Sequence, residues 1–338
     1  GVQVDLVTFE DSVDPSLRAS LAARGVTWRP LDYGATGPVG GLGRVVRAAR
    51  AIRGSSLVHA RSDLAAAATL IARPTRWIWD VRSFWADQKV ATGVFGEQSL
   101  QARIFRWVER RSAASADGVV TLTRSAIEDL DDRYGIRQRA SASVITTCVD
   151  RSRFVPTPMP DGPVRMLLAG TINRYYDVPL MLRLVEAVRE RTDVEFVVAA
   201  PAETPWEAEF RSAGCLRISV DSAEMPGLIA SSHVGLSVCR EDAGRSLLAA
   251  MPTKIGEFLA TGRPVVVNPR LVDAARLVVG GGAGLVVDDD VDGAADRLVT
   301  LLADPGLAGR ACRLSAEEFD LTSGVERLMD LYHRVSLA

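Results

Sequence analysis

The strongest constraint in this sequence is its rhythm. Short apolar runs alternate with stretches of helical periodicity from end to end, the pattern of repeated βα units that build a parallel sheet. The spacing predicts strands over 2–8, 26–31, 56–59, 76–81, 117–122 and 143–146, with helical segments between most of them. A proline-rich stretch, VPTPMPDGP at 155–163, then breaks the pattern, because proline fixes φ and disfavours helix in the residue before it. The rhythm restarts at 164–170 and continues at 194–200, 216–220, 233–239, 263–267 and 283–287. Three helical patterns follow, at about 291–302, 306–319 and 322–335. At 338 residues the chain is long enough for about two domains. We place them at 1–157 and 163–320, with the helix at 322–335 expected to pack back on the first. The expected fold class is α/β, two doubly wound sheets, with a ligand held in the cleft between the carboxyl ends of their strands.

Charge narrows the partners. Forty Lys plus Arg against 42 Asp plus Glu leave a net charge of −2, so no global positive field exists to hold a nucleic acid. No apolar run approaches the roughly 20 residues of a membrane span and no signal peptide opens the chain, so a cytoplasmic protein is expected. Cys148, Cys215, Cys239 and Cys312 are widely spaced and are expected to be reduced. His59, His233 and His333 have no metal-type spacing, so no metal site is predicted.

The most informative stretch is MPTKIGEFLATGRPVVVNP at 251–269. Pro252 suits the start of a helix, leaving the amides of Thr253 and Lys254 free at a positive helix end. Lys254 adds a cation in the same turn, which makes the position fit for a phosphate. Glu257 follows on the same face, about 4.5 Å further along the axis, where a carboxylate can accept hydrogen bonds from ribose hydroxyls. The plainer alternative is a capped surface helix in which Glu257 pairs with Lys254.

This stretch resembles the retaining glycosyltransferases of family 4, which have the two-domain GT-B fold with two doubly wound Rossmann-like domains facing a cleft. So do EDLDDRYGI at 128–136 with SVITTCVDRSRF at 143–154, MLLAGTINRYYDVPLML at 166–182, MPGLIASSHVGLSVCR at 225–240, and the segment from GAGLVVDDD at 282 to DLY at 332. The resemblance covers most of 56–332. It implies transfer of a sugar from a nucleotide diphosphate donor to an acceptor hydroxyl, with anomeric configuration retained and without an essential divalent metal. The second domain would hold the donor. Lys254 and Thr253 would bind the diphosphate, Glu257 the ribose, and Gly170 and Thr171 would form the tight turn that lets the phosphates approach. Arg240 and Arg174 are candidates for a second cation. In the first domain His59 joins Arg240 and Lys254 as a catalytic candidate, and Arg61, Asp80, Arg82 and Asp87 lie on the acceptor side. Trp79 and Phe84 are read as core.

Three features depart from the family pattern. Asn-Gly usually stands where this chain has Thr147 and Cys148. A Glu usually stands eight residues before the ribose-contacting Glu, and Ala249 occupies that position; Glu241 and Asp242 lie nearby at a different spacing. The chain opens on what resembles the family's second strand, so the first strand and its Gly-rich loop are expected to be missing. GPVGGLGRVV at 37–46 follows a different strand and is read as a loop. Arg44, Arg47, Arg50 and Arg53 recur every three residues on a helix, a solvated face in the plain reading and a peripheral contact with the inner face of a membrane in the other. The acceptor is open among carbohydrate, lipid and natural product. Two other functions fit the same residues: an impaired homologue that binds nucleotide or a partner, and a nucleotide-sugar 2-epimerase.

Overall fold

A computed structural model of the chain describes residues 3–201 and 203–337. Its twelve strands each fall within about two residues of an apolar run in the sequence; residue 2 of the first expected run lies outside the described residues. Strands β1 (Val4–Glu10) and β2 (Val26–Asp32) pair as a two-stranded ribbon. Strands β3 (Leu57–Arg61), β4 (Arg76–Val81), β5 (Gly118–Thr121) and β6 (Ser141–Val144) form a four-stranded sheet in that order. After the proline-rich stretch come β7 (Val164–Ala169), β8 (Val194–Ala199), β9 (Leu216–Ile218), β10 (Val234–Ser237), β11 (Val265–Val267) and β12 (Gly284–Val286). They form a six-stranded sheet in the order β12-β11-β10-β7-β8-β9. Every paired strand in the three sheets is parallel.

The parallel arrangement explains the composition of the strands. In the six-stranded sheet the inner strands read as continuous apolar runs because both faces are covered, and Leu167, Val198, Leu236 and Val266 are fully buried. In the six-stranded sheet the chain runs outward from β7 through β8 to β9, then returns to lay β10 on the other side of β7. The order therefore reverses between β7 and β10, and a ligand crevice opens at the carboxyl ends of strands flanking such a reversal.

One close contact fixes the helix that overlies this crevice. A Cβ at Gly235 of β10 would lie 2.4 Å from the Phe258 ring, so only glycine lets the helix Thr253–Ala260 settle on the sheet at this depth. Phe258 and Leu259 are fully buried as a result.

The two halves touch through polar and apolar contacts. Asp273 accepts from the backbone amides of Arg124 and Ser125 at 3.1 Å each, placing a carboxylate at the N-terminus of the helix Arg124–Tyr134. The Thr123 hydroxyl donates to the carbonyl of Leu248. The helix Leu321–Leu337 returns to the first half, where Leu331 and Val335 pack on Ile78, Val120 and Ile145. Trp79 and Phe84 are buried in the first-half core. The glycine-rich stretch at 37–46, expected as a loop, instead belongs largely to the helix Gly37–Ala51. Arg44 donates to the carbonyl of Ala35 at 2.8 Å and Arg47 to that of Asp32 at 2.7 Å, and these bonds anchor the glycine-bearing turns against the end of β2.

Candidate active site

Lys254 stands in the first turn of the helix Thr253–Ala260, and its side chain turns inward rather than to solvent: the residue is 9% exposed. Among the described residues its ammonium has no hydrogen-bond partner. It lies 4.3 Å from the centre of the Tyr176 ring, a cation over a π-face. On its other side is Gly170, just beyond the end of β7, where a Cβ would sit 3.9 Å from Nζ. Gly170 has φ +109°, which glycine adopts without strain, and its amide bonds to the carbonyl of Ala199 at 2.9 Å.

The walls of this cradle are held by the loop after β7. Tyr176 bridges Cys239, the Asp177 amide donates to Val238 at 3.1 Å and the Arg240 amide to Tyr175 at 3.0 Å, so the loop is zipped to the end of β10. Asp177 also caps the helix Val178–Arg189 through its side chain. The buried Cys239 thiol is pushed up to about 12 by burial, with Lys254 opposing. Glu257, one turn along from Lys254, is half-buried; burial raises its carboxyl, and Lys254 and Arg153 pull it back.

Thr171, Arg174 and Thr253 are exposed around the cradle. Arg240 leaves the end of β10, pairs with Asp242, and donates to the carbonyl of Arg174 at 3.3 Å. It faces a shallow depression also lined by Asp177, Pro179 and Trp206. The structure thus gathers Gly170, Lys254 and Glu257 with Arg240 and Arg174 around the β7–β10 reversal.

In the first half, β3 and β4 bring a second group together. Asp80 is buried; one of its oxygens lies 3.3 Å from His59 Nε2 and the other 3.5 Å from Arg82. Burial lowers the Arg82 guanidinium, Asp80 opposes that shift, and the Arg61 charge adds to it. His59 Nδ1 lies 2.9 Å from the Tyr332 hydroxyl. Both ring nitrogens of His59 are therefore engaged, one beside Asp80 and the other beside Tyr332. Asp87 does not join this group. It is held by Arg245 at 2.8 Å and by Arg106 at 3.1 Å.

The chain matches two family models, the "Glycosyl transferase 4-like domain" over residues 1–146 and "Glycosyl transferases group 1" over 163–304. This chain belongs to the family-4 type of glycosyltransferase, with the GT-B fold. It is 30% identical to a phosphatidyl-myo-inositol mannosyltransferase of Mycolicibacterium smegmatis over 232 residues, 63% of this chain and 57% of that protein. The match thus spans little more than half of that curated relative. The structure resembles sucrose-phosphate synthase of Thermosynechococcus elongatus, with TM-score 0.71 at 15% identity over 98% of each chain. It also resembles Anabaena HepE, solved with UDP and glucose, with TM-score 0.70 at 13% identity over 98% of this chain and 100% of that one.

Within this glycosyltransferase family the departure at Ala249 has a structural counterpart. Ala249 is fully buried and packs in the first-half core with Phe84 and Val108. The two short turns of Glu241–Ala249, kinked at Gly244, lie between the halves, with Ala243 and Leu247 in the second-half core and Ala249 in the first-half core. A carboxylate at 249 would be driven into an apolar cluster. Tyr176 and Tyr332 are the site residues that the sequence did not single out. Tyr176 sits in a Tyr-Tyr pair six residues after Gly170, a faint signal, and Tyr332 reaches His59 from 273 residues away.

Proposed function

We propose that this chain moves a sugar from a nucleotide diphosphate donor to an acceptor hydroxyl with retention of anomeric configuration. The observation that carries the reading is the Lys254 ammonium: buried, unpartnered, at a helix N-terminus and aimed at the turn after β7. A buried cation without an anion is costly, and a diphosphate supplies the missing charge. HepE has been solved with UDP-glucose and TarM with UDP and α-GlcNAc-glycerol, which supports a nucleotide in this crevice. The free amides of Thr253 and Lys254 would bind the same phosphates. Gly170 and Thr171 would let them approach, and Glu257 would accept from the ribose.

Arg240 would supply the second cation by exchanging Asp242 for the donor's phosphate, with Arg174 beside it. Stabilisation of the departing diphosphate is then electrostatic and preorganised, and it needs no divalent metal. Attack from the face that the diphosphate leaves would give retention, the phosphate oxygen receiving the acceptor proton. That assignment leaves His59 to orient Asp80, and the acceptor to meet Asp80, Arg82 and Arg61. The donor-side unit would be 163–320 and the acceptor-side unit 1–157.

The test is incubation with UDP-, GDP-, ADP- and dTDP-sugars and simple alcohol acceptors, with the anomeric proton followed by NMR. A product with the donor's configuration supports the reading, and an inverted product refutes retention. Nucleotide binding without transfer or hydrolysis favours the impaired homologue, which the burial of Ala249 would then explain.

A further inference from the structure

The His59–Asp80 group is tied to an element from outside its own sheet. The helix Leu321–Leu337 seats Leu331 and Val335 on Ile78, Val120 and Ile145. Gly118 of β5 sets the depth of that seat, since a Cβ there would lie 2.9 Å from Val335 Cγ2 and 3.0 Å from Ile78 Cγ1. Arg334 pins the same helix to β6, donating to the Ser143 hydroxyl at 2.9 Å. Ile78 and Asp80 stand two apart on β4 and so share one sheet face, the face that this helix covers. Tyr332, half-buried beside Leu331, meets His59 there, with its hydroxyl 2.9 Å from Nδ1 and its ring edge-on to the imidazole, the centroids 5.8 Å apart.

The partners of the ring fix where its hydrogens sit. Nε2 lies 3.3 Å from Asp80 Oδ2, and a carboxylate only accepts. Nε2 therefore carries a hydrogen, because a bare lone pair there would face the carboxylate. In the neutral ring Nδ1 is then an acceptor, and the Tyr332 hydroxyl is its one donor among the described residues. Burial first and the Asp80 charge second push the Tyr332 phenol up, so it keeps the proton that it donates. The second oxygen of Asp80 is buried without a hydrogen-bond partner among the described residues and stands 3.5 Å from Arg82. No other carboxylate among the described residues is in ion-pair reach of Arg82. Tyr332, His59, Asp80 and Arg82 thus form one chain from the last helix to the carboxyl end of β4.

Within the transfer reading, on which this step rests and in which the acceptor meets Asp80, Arg82 and Arg61, we propose that Tyr332 is a positioning residue of the acceptor side. It fixes the His59 ring in the tautomer that donates to Asp80, and the held carboxylate aims Arg82. The donor crevice around Lys254 lies in the other half and does not depend on this chain.

The deciding variant is Tyr332→Phe, which keeps the ring and loses only the hydroxyl. NMR of the whole chain with isotope-labelled histidine, His59→Gln serving to assign the signals, should show wild-type His59 with a hydrogen on Nε2 and Nδ1 accepting a bond. In Tyr332→Phe the Nδ1 signal should become that of an unbonded nitrogen, while nucleoside diphosphate affinity stays within about twofold because the two sites are far apart. In the transfer assay, with glycerol and methyl glucoside as acceptors, the acceptor KM should rise about three- to tenfold at nearly constant kcat, as for loss of one hydrogen bond. Tyr332→Phe added to Asp80→Ala should cost nothing further, because both act through one carboxylate. An unbonded Nδ1 or a bare Nε2 in the wild type overturns the inference, as does an unchanged acceptor KM, an additive double variant, or a parallel loss of nucleotide affinity. A wild type that binds nucleotide and transfers to no acceptor refutes the transfer reading instead, and the acceptor role of Tyr332 falls with it.

Discussion

Arg245 should be among the costliest single residues to remove from this chain, although it lies in the short kinked turns of Glu241–Ala249. Its guanidinium crosses from the second half into an acidic nest of the first. It donates to Asp129 at 2.9 and 2.6 Å and to Asp87 at 2.8 Å, lies 3.0 Å from Glu109, and rests 3.7 Å from the centre of the Phe84 ring. Glu109 is 2% exposed and Arg245 17% at the side chain. Burial alone would lower the guanidinium, but the bonds to Asp129 and Glu109 outweigh it and hold Arg245 well above its usual range. Replacement by methionine fills much of the volume but leaves three carboxylates facing one another, with only Arg106 still on Asp87. Breaking a buried ion pair by removing one partner costs about 3–5 kcal/mol, far above the 0–1 kcal/mol of an exposed pair. Urea denaturation of Arg245→Met should show a loss in that range. Arg245→Lys, which keeps the charge but loses the fork, should fall between the two. A loss below about 1 kcal/mol for Arg245→Met would mean that the nest is solvated and that the two halves are joined elsewhere.

Asp63, in the same nest, makes stability depend on pH. Burial first and the Glu109 charge second raise its carboxyl from 3.8 to about 7. The folded state thus holds a proton that the unfolded state has released, so stability is lost as pH rises from about 4 to about 7, by about 4 kcal/mol from this group. Melts of Asp63→Asn at pH 5 and pH 8 should show a smaller difference than the wild type, and an unchanged difference would assign the slope to another group. Gly235→Ala forces the 2.4 Å contact with Phe258, so it should cost about 1–3 kcal/mol and displace the helix carrying Lys254. Calorimetry should then show weaker nucleotide binding; a variant with wild-type stability and affinity would mean that the helix has slack. Tyr176→Leu keeps an apolar wall but removes the π-face under Lys254. It should weaken nucleotide binding by roughly two- to fivefold, the worth of about 0.5–1 kcal/mol, and an unchanged Kd would make the ring a passive wall.

Much of this fold is legible because its signals are local. A strand buried on both faces needs a continuous apolar run, and a proline at a helix start announces free amides, so the strands and the Lys254 turn can both be read from adjacent residues. The reversal between β7 and β10 then follows from the doubly wound order, and with it the neighbourhood of Gly170 and Arg240. What resists reading is long-range and polar. Arg245 finds Asp129 and Asp87 at separations of 116 and 158 residues, and nothing in EDAGRSLLA marks it as different from other arginines. The same contact holds Asp87 apart from Asp80 and Arg82, its neighbours in the sequence. Tyr332 reaches His59 only because the last helix folds back, across a separation of 273 residues. The glycine-rich stretch at 37–46 misleads for a related reason: its helical turns are held by carbonyls of the preceding strand end, not by its own propensity.

The most direct measurement is titration calorimetry of UDP, GDP, ADP and dTDP into the wild type and Lys254→Ala, with the corresponding nucleosides as controls. One diphosphate should bind, and Lys254→Ala should weaken it by about 10- to 100-fold, as expected for loss of a charge-assisted bond of about 1.5–3 kcal/mol. The nucleoside should bind both proteins alike, since it carries no phosphate for the ammonium. Equal diphosphate affinity in the wild type and the variant, or binding of none of the four, would contradict the placement of the donor at Lys254.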